Sequence, residues 1–85
     1  MSANNNNSTP FVVQLNNLCQ GHNITKPAYE ESTTGSGHQQ QHTVIVYIEG
    51  IEYGRHTASK KKEAKEQAAK SAYEDAFKKW GAYNL

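Results

Sequence analysis

The chain has 85 residues and a formal net charge of +1, so any interaction with a polyanion must depend on where its nine basic residues cluster. A chain of this length forms one small domain that buries only about 60–65 % of its unfolded surface, which argues against a large enclosed active site. Cys19 is the only cysteine, no apolar run approaches the length of a membrane span, and the N-terminus carries no signal peptide. We therefore expect an intracellular protein, cytoplasmic or nuclear, without disulfides and without membrane contact.

The first predicted element is a helix that follows an asparagine-rich start. Residues 1–8 have almost no apolar content, and we expect them to form a disordered tail. In the next segment Thr9 can cap a helix, Pro10 suits its first turn, and Gly21 can supply a left-handed stop. Apolar residues at i, i+4, i+7 and i+8 predict one buried stripe, formed by Phe11, Leu15, Leu18 and Cys19. The other face carries Val13, Asn16, Asn17 and Gln20.

Three strands are predicted next. The segment PAYEEST gives a short first strand, and HTVIVYIEG gives a stronger one because branched apolar residues occupy every second position. The segment IEYGRHT continues as a third strand. The last two strands therefore predict an antiparallel hairpin over residues 43–57, with a tight turn near Gly50.

The last predicted element is a long helix from Ser59 to about Lys79, in a segment rich in lysine, glutamate and alanine. The order is thus helix, three strands, helix. This order predicts an α+β fold with one antiparallel sheet and both helices packed on a single face of it. We expect the folded domain to span residues 9–80 and a short C-terminal tail to span residues 81–85.

A cluster of four lysines opens the second helix: Lys60, Lys61, Lys62 and Lys65. Alanines follow the lysines along one side, so the alanine part can lie against the sheet while the lysine part runs past its edge into solvent. A helix N-terminus already attracts phosphate, and lysines there are unfavourable for the isolated helix. A sequence that breaks a local rule this strongly suggests function. The alternative is a solvated charge run, softened by a Lys62–Glu66 ion pair.

The exposed face of the first helix gives a second indication. It presents amides and a valine, and no acidic residue occurs from Thr9 to Tyr29. Amides can both donate to and accept from hydroxyl groups. An RNA duplex displays 2′-hydroxyls in its shallow minor groove and phosphates across its major groove. An amide face together with a phosphate-seeking helix start therefore indicates duplex RNA more specifically than either feature alone.

Four segments resemble the double-stranded-RNA-binding domain family. The segment KKKEAKEQAA resembles the closing signature of the family, with matches at Lys61, Lys62, Ala64, Lys65, Ala68 and Ala69. VQLNNL is similar to the first-helix pattern, KPAYEE to the opening of the first strand, and GSGH to the loop between the first two strands. The resemblance covers about Pro10 to Lys79 and implies an α-β-β-β-α domain that reads duplex RNA by its shape.

The resemblance also implies three groups of RNA-contacting residues. On the first helix, one group would enter a minor groove: Val13, Asn16 and Asn17. In the loop after the first strand, His38 and the backbone of residues 35–37 would enter the next minor groove. At the start of the second helix, the last group would bridge the phosphates of the intervening major groove: Lys61, Lys62 and Lys65, with Lys60 beside them.

Several residues depart from the pattern of the family. Asn17 stands where a glutamate is usual, and His42 where a buried aromatic residue is usual. His56 and Ala58 take the places of two common loop glycines, so the turn before the second helix must use another backbone geometry. The serine that usually precedes the lysines stands one residue early, as the candidate cap Ser59. These departures bear on affinity more than on fold.

Other functions stay open beside RNA binding. The same fold can serve as a protein-interaction or dimerisation module. Its candidate contacts are Ile45 and Tyr47, on the sheet face away from the helices, and Trp80 and Tyr83 beyond the last helix. The domain could also be the accessory part of a larger RNA-processing enzyme, since similar domains accompany ribonuclease III and adenosine-deaminase units. We expect no catalytic site of its own, no metal site and no cofactor, because the histidines lack a cysteine pair or acid cluster.

Overall fold

The computed structural model describes residues 9–81, so the predicted tail over residues 1–8 lies outside the described residues, as does Tyr83. The elements, in chain order, are α1 (Phe11–Gly21), β1 (Ala28–Thr34), a single 3₁₀ turn (Gly37–Gln39), β2 (Gln41–Ile48), β3 (Ile51–Ala58) and α2 (Lys61–Trp80). The predicted α-β-β-β-α order is therefore confirmed.

The three strands form one antiparallel sheet in the order β1-β2-β3, with β2 in the centre. Ile48 pairs with Ile51 across the β2–β3 turn. The two turn residues between them, Glu49 and Gly50, both have positive φ angles, 53° and 81°. This is the backbone of a type I′ turn, whose twist matches that of the flanking strands. The predicted tight turn near Gly50 is confirmed.

The core lies between one face of the sheet and the two helices. Alternate residues of β2 face the helices and are buried: Val44, Val46 and Ile48. The predicted stripe of α1 contributes Leu15, Leu18 and Cys19, while Phe11 at its start is only half-buried. The inward side of α2, which we call the alanine face, consists of Ala64, Ala68, Ala69, Ala72 and Ala76, all fully buried. The prediction that both helices pack on one face of the sheet is thus confirmed.

Gly54 on β3 allows α2 to lie unusually close to the sheet. An ideal Cβ atom at Gly54 would collide with the backbone oxygen of Ala68 and would lie 2.7 Å from the backbone nitrogen of Ala72. A glycine on the strand and alanines on the helix therefore bring two backbones into direct contact. This close packing fixes the position of α2, including the lysines at its start.

The predicted helix ends are wrong by one or two residues. In α1 the N-cap position falls on Pro10 rather than on Thr9, and Gly21 is still helical. The left-handed residue is Asn23, with a φ of 59°. In α2 the N-cap position falls on Lys60 rather than Ser59, because the chain stays extended through Lys60 before the helix begins. Neither N-cap residue makes a side-chain capping hydrogen bond within residues 9–81.

Candidate nucleic-acid interface

The exposed face of α1 lines a shallow concavity of about 470 Å³. Its lining includes all three α1 candidates and three further residues: Val13, Asn16, Asn17, Gln20, Ile24 and Lys26. Val13 is 43 % exposed and Asn17 is exposed, as expected for residues that contact a partner. Asn16 is half-buried, and its Oδ1 atom is buried without a hydrogen-bond partner among the described residues. Asn16 therefore has a partly structural setting that its helical position did not indicate.

Lys26 is a basic residue of this surface that sequence reasoning missed. It lies in the loop between α1 and β1, where a single lysine carries no pattern. The loop folds back so that Lys26 and Ile24 border the same concavity as Asn17. Only its place as the first residue of the matched KPAYEE segment could have drawn attention to it.

The four lysines at the start of α2, which we call the lysine end, are mostly exposed. Lys60, Lys61 and Lys62 are exposed and Lys65 is half-buried. The Nζ atom of Lys61 lies 3.4 Å from a carboxylate oxygen of Glu31. Lys60 and Lys62 have no hydrogen-bond or ion-pair partner among residues 9–81. These two lysines are therefore free to bind an anion.

The sequence predicted that the lysine end would run past the edge of the sheet into solvent. In the structure, two of its lysines instead contact the edge of the sheet. Lys61 contacts Glu31, and the Nζ atom of Lys65 lies 4.9 Å from the centre of the Tyr29 ring, so both lysines reach the edge strand β1. The alternative of a Lys62–Glu66 ion pair is also wrong, because no such pair forms in the described part of the chain. The lysine end is thus fixed beside β1 by contacts that are distant in sequence.

Glu66 is engaged with the other helix. Its carboxylate accepts hydrogen bonds from the backbone N–H groups of Phe11, at 2.6 Å, and Val12, at 3.4 Å. These are two of the unpaired donors at the start of α1. A carboxylate is also favoured there by the helix dipole. Glu66 therefore caps α1 from α2, which explains why no local side chain is needed at Pro10.

Tyr29 lies below the lysine end and contacts the core. Its hydroxyl is buried and has no hydrogen-bond partner among the described residues. Burial, with smaller effects of Cys19 and Glu66, raises the pKa of Tyr29 to about 12. The phenol therefore stays neutral at physiological pH and contributes an apolar ring under the Lys65 ammonium.

His38 lies in the 3₁₀ turn of the loop between β1 and β2, and its side chain is exposed. The strand β1 leads into this loop, and the lysine end packs against the same strand. Lys65 contacts Tyr29 near the start of β1, Lys61 contacts Glu31 further along, and the loop begins after Thr34. At about 3.3 Å per residue, the loop begins roughly 13 Å beyond Glu31. The lysine end therefore lies between α1, which Glu66 holds on one side, and the loop that carries His38.

The residues that depart from the family pattern are accommodated locally. His42 is the second residue of β2 and is half-buried, and its Nδ1 atom lies 3.2 Å from the Oγ1 atom of Thr33 on β1. His56 and Ala58 belong to β3, which stays extended to Ala58 and then leaves only residues 59–60 before α2. Two loop glycines are not needed here because the chain enters α2 directly from a strand.

The predicted protein-contact residues do not form one surface. Ile45 and Tyr47 are half-buried on the sheet face away from the helices, where the Tyr47 hydroxyl donates to Glu30 at 3.1 Å. Trp80 is instead the last residue of α2 and packs beside the core, with its ring centre 5.6 Å from that of Tyr53. Trp80 and the Ile45–Tyr47 pair are therefore on opposite sides of the sheet.

Two further features bear on the class of protein. The described residues contain no group of three histidine, cysteine, aspartate or glutamate side chains that could hold a metal ion. Over the same residues, neither helix combines the length and the apolar character that crossing a membrane requires.

The chain belongs to the double-stranded RNA binding motif family, whose profile matches residues 11–75. That range begins with α1 and ends within α2, and it contains the α1 concavity, the His38 loop and the lysine end. The family predicted from the four sequence segments is thereby confirmed, and the domain is a double-stranded-RNA-binding domain.

Two curated relatives are bacterial enzymes. The chain is 37 % identical over 64 residues to Ribonuclease 3 of Nocardia farcinica, a match that covers 75 % of this chain and 27 % of the relative. It is 33 % identical over 63 residues to Ribonuclease 3 of Streptomyces coelicolor, covering 74 % of this chain and 23 % of the relative. The chain thus spans about a quarter of the length of the curated relatives it matches.

Solved structures share the fold. The first double-stranded-RNA-binding domain of the protein HYL1 superposes with a TM-score of 0.69 at 24 % identity, covering 78 % of this chain and 94 % of that one. A structure of HYL1 from Arabidopsis gives 0.61 at 24 % identity, covering 81 % and 93 %. The second such domain of DRB4 gives 0.65 at 28 % identity, covering 80 % and 96 %. The likeness extends over nearly the whole of each of these domains.

Proposed function

We propose that this domain binds duplex RNA by shape, without sequence preference and without catalysis of its own. In this proposal the α1 face, through Val13, Asn16 and Asn17, enters one minor groove. His38 and its loop enter the next minor groove, and the lysine end spans the phosphates of the major groove between them. The observation that carries the proposal is the placement of the lysine end between α1 and the His38 loop.

The chemistry of the two regions supports different parts of this contact. The α1 concavity offers amides and one lysine, and amides match the hydroxyl groups that distinguish RNA from DNA in a shallow groove. The lysine end offers ammonium groups next to the unpaired N–H groups of a helix start, which suits phosphate oxygens. The family membership supports duplex RNA as the ligand of both regions.

A gel-shift titration with three ligands of one sequence tests the proposal: duplex RNA, duplex DNA and single-stranded RNA. We expect clear binding to duplex RNA and much weaker binding to the other two, because only the RNA duplex presents 2′-hydroxyls across a wide minor groove.

The substitution Asn17→Ala should weaken duplex RNA binding by roughly 1 kcal/mol through lost hydrogen bonds. Ser71→Ala, an exposed polar residue further along α2, is the control. Equal affinity for the RNA and DNA duplexes would contradict the proposal.

A second candidate function is that of the binding domain of a larger RNA-processing enzyme. The observation that favours it is that the chain matches about a quarter of each of two Ribonuclease 3 sequences. In that case the domain would supply affinity for the duplex, and cleavage would require residues outside it. Incubating labelled duplex RNA with this domain and Mg²⁺ tests the separation, and we expect the RNA to stay intact. A nuclease activity that co-purifies with the domain would contradict the non-catalytic assignment.

A further inference from the structure

We infer that Glu66 is a positioning residue for RNA binding, which fixes the first turn of α1 relative to the lysine end. This inference rests on the proposed function, because it concerns the alignment of two regions that would contact the same duplex. Glu66 belongs to α2, one residue after Lys65, yet its carboxylate accepts hydrogen bonds from the backbone of Phe11 and Val12 in α1.

The charge of Glu66 is the first argument. A carboxylate next to Lys62 and Lys65 repels phosphate, so a site that served only to attract an anion would be better without it. Glu66 is half-buried, and its oxygens are used by N–H groups of α1 rather than by a lysine. The acid therefore acts on α1, while the exposed Lys62 beside it remains available to the ligand.

The absence of any local cap within residues 9–81 is the second argument. The N-cap residue Pro10 makes no side-chain hydrogen bond, and the backbone oxygen of Thr9 is already accepting from the Gln14 side chain. About two turns beyond Glu66 along α2, the Tyr73 ring lies 5.8 Å from the Phe11 ring. An apolar contact of this kind sets the distance between the helices, whereas two directed hydrogen bonds also set their orientation.

The consequence for binding follows from geometry. Val13, Asn16 and Asn17 lie within two turns of the capped amides, so a rotation of the first turn of α1 changes where they point. The lysine end is fixed separately, by the packing of the alanine face on the sheet. Without Glu66, each region could still contact RNA, but the two would match the spacing of a minor groove and the adjacent major groove less often.

The test compares Glu66→Ala and Glu66→Gln with Glu63→Ala. Glu63 is the matched control because it is exposed, lies in the first turn of α2, and has no hydrogen-bond partner within residues 9–81. Affinity for a duplex of about 20 base pairs is measured at a temperature at which all variants are folded by circular dichroism, so stability alone does not change the result. A domain of this family contacts three successive grooves over about 16 base pairs, so a hairpin whose duplex stem has roughly 5 base pairs, about a third of that span, serves as the short duplex that only one region can engage.

We expect Glu66→Ala to weaken binding to the long duplex roughly fivefold, within the range of couplings between residues that share partners. Glu63→Ala should leave binding unchanged or strengthen it slightly, since it removes the same negative charge. Glu66→Gln, which keeps an oxygen acceptor for the α1 amides, should restore most of the affinity. On the short duplex all four proteins should bind with similar, weak affinity.

Two outcomes would overturn the positioning role of Glu66. If Glu66→Ala binds the long duplex as tightly as Glu63→Ala does, Glu66 only stabilises the fold, and the positioning inference is overturned while the proposed function stands. An equal loss on the long and short duplexes would also overturn it, because misalignment can act only where both regions engage. If the unmodified protein binds neither duplex, the proposed function fails, and the role of Glu66 fails with it.

Discussion

The two parts of α2 lie in opposite environments. Along the alanine face, every side chain is fully buried, and the backbone touches the strand at Gly54. At the lysine end, three of the four side chains are exposed and two have no partner within residues 9–81. One helix thus carries a folding surface and a candidate binding surface in succession along its axis, so substitutions in one part should leave the other nearly unchanged.

The difference also explains how a helix with an unfavourable start is stable. Lysines beside a helix N-terminus oppose the dipole, by about 0.3–1 kcal/mol each at exposed positions. The alanine face offsets this through burial against the sheet, and alanine is also the best helix former. Helical stability that comes from packing further along the chain permits charges at the start that an isolated peptide would not tolerate.

The largest expected effect is on the folding surface. We expect Gly54→Val to reduce the free energy of unfolding by about 3 kcal/mol or more, because its side chain would collide with the backbone of Ala68 and Ala72. Urea unfolding followed by circular dichroism measures the loss. Thr57→Val, on the outward face of the same strand, should change stability by less than about 1 kcal/mol. Similar losses in the two variants would show that the close packing at Gly54 is unimportant.

The next largest effect is on the binding surface. Replacing Lys61, Lys62 and Lys65 with alanine should abolish most RNA binding. In the unmodified protein, three to four engaged lysines imply a log–log salt slope of about −3, and the variant should show a much flatter one. Stability should change by no more than about 1 kcal/mol, because the lost contacts with Glu31 and Tyr29 are partly offset by better helix formers. Affinity at several salt concentrations, with circular dichroism for the fold, tests both parts.

The matched control removes three lysines from other parts of the same helix: Lys70, Lys78 and Lys79. Both triple variants have the same net charge. If the two lose RNA affinity equally, overall charge controls binding and the lysine end has no special role. A difference confined to the lysine end would support the assignment of its three lysines.

Much of the fold could be predicted from the sequence because its signals are local. The alternation of Val44, Val46 and Ile48 predicts a strand with one buried face, and the residues around Gly50 predict the turn. The ends of the helices were predicted less accurately than the strands and the turn. The cap of α1 is Glu66, which follows the capped residue Phe11 by 55 residues in the chain, and no local pattern records such a partner.

In the candidate site, too, the residues with a local sequence signal could be predicted and their partners from distant segments could not. The lysine signature marks its residues by spacing alone, and the structure places Lys61, Lys62 and Lys65 together at the start of α2. Their partners on β1, Glu31 and Tyr29, depend on how the helix packs across the sheet and have no sequence signal. Whether these residues bind RNA stays a prediction.

Tyr29 lies where the two surfaces meet, and it offers a test by pH. Tyr29→Phe keeps the ring under Lys65 and removes a buried hydroxyl without a described partner, so stability at neutral pH should rise by about 1 kcal/mol. The raised pKa of about 12, against an ordinary 10.0, means that folding favours the neutral phenol. The stability contributed by this preference is fully present below pH 10 and is lost as the pH rises through 12.

The advantage of the phenylalanine variant should therefore grow by at most about 2–3 kcal/mol across that range. Urea unfolding of both proteins at intervals between pH 9 and 12 measures this growth, and titrations of other groups are shared and cancel in the difference. A constant difference across the range would mean that Tyr29 ionises normally in the folded state. RNA affinity at neutral pH should not change, since the substitution leaves every proposed contact in place.

The smallest expected effect tests whether the lysine end is restrained by its own fold. Lys61 must leave Glu31 before it can bind a phosphate, so the ion pair at 3.4 Å competes with RNA. Glu31→Gln should strengthen duplex RNA binding about two- to threefold, the scale of an exposed ion pair, and change stability by less than about 0.5 kcal/mol.

Glu30→Gln is the control, because it removes the same charge from the opposite sheet face, where Glu30 accepts a hydrogen bond from Tyr47. Competition for Lys61 predicts a gain from Glu31→Gln that exceeds the gain from Glu30→Gln and disappears when Lys61 is alanine. Equal gains from the two glutamine variants would instead reflect the weaker repulsion of RNA by a less acidic protein, and Lys61 would then be unrestrained.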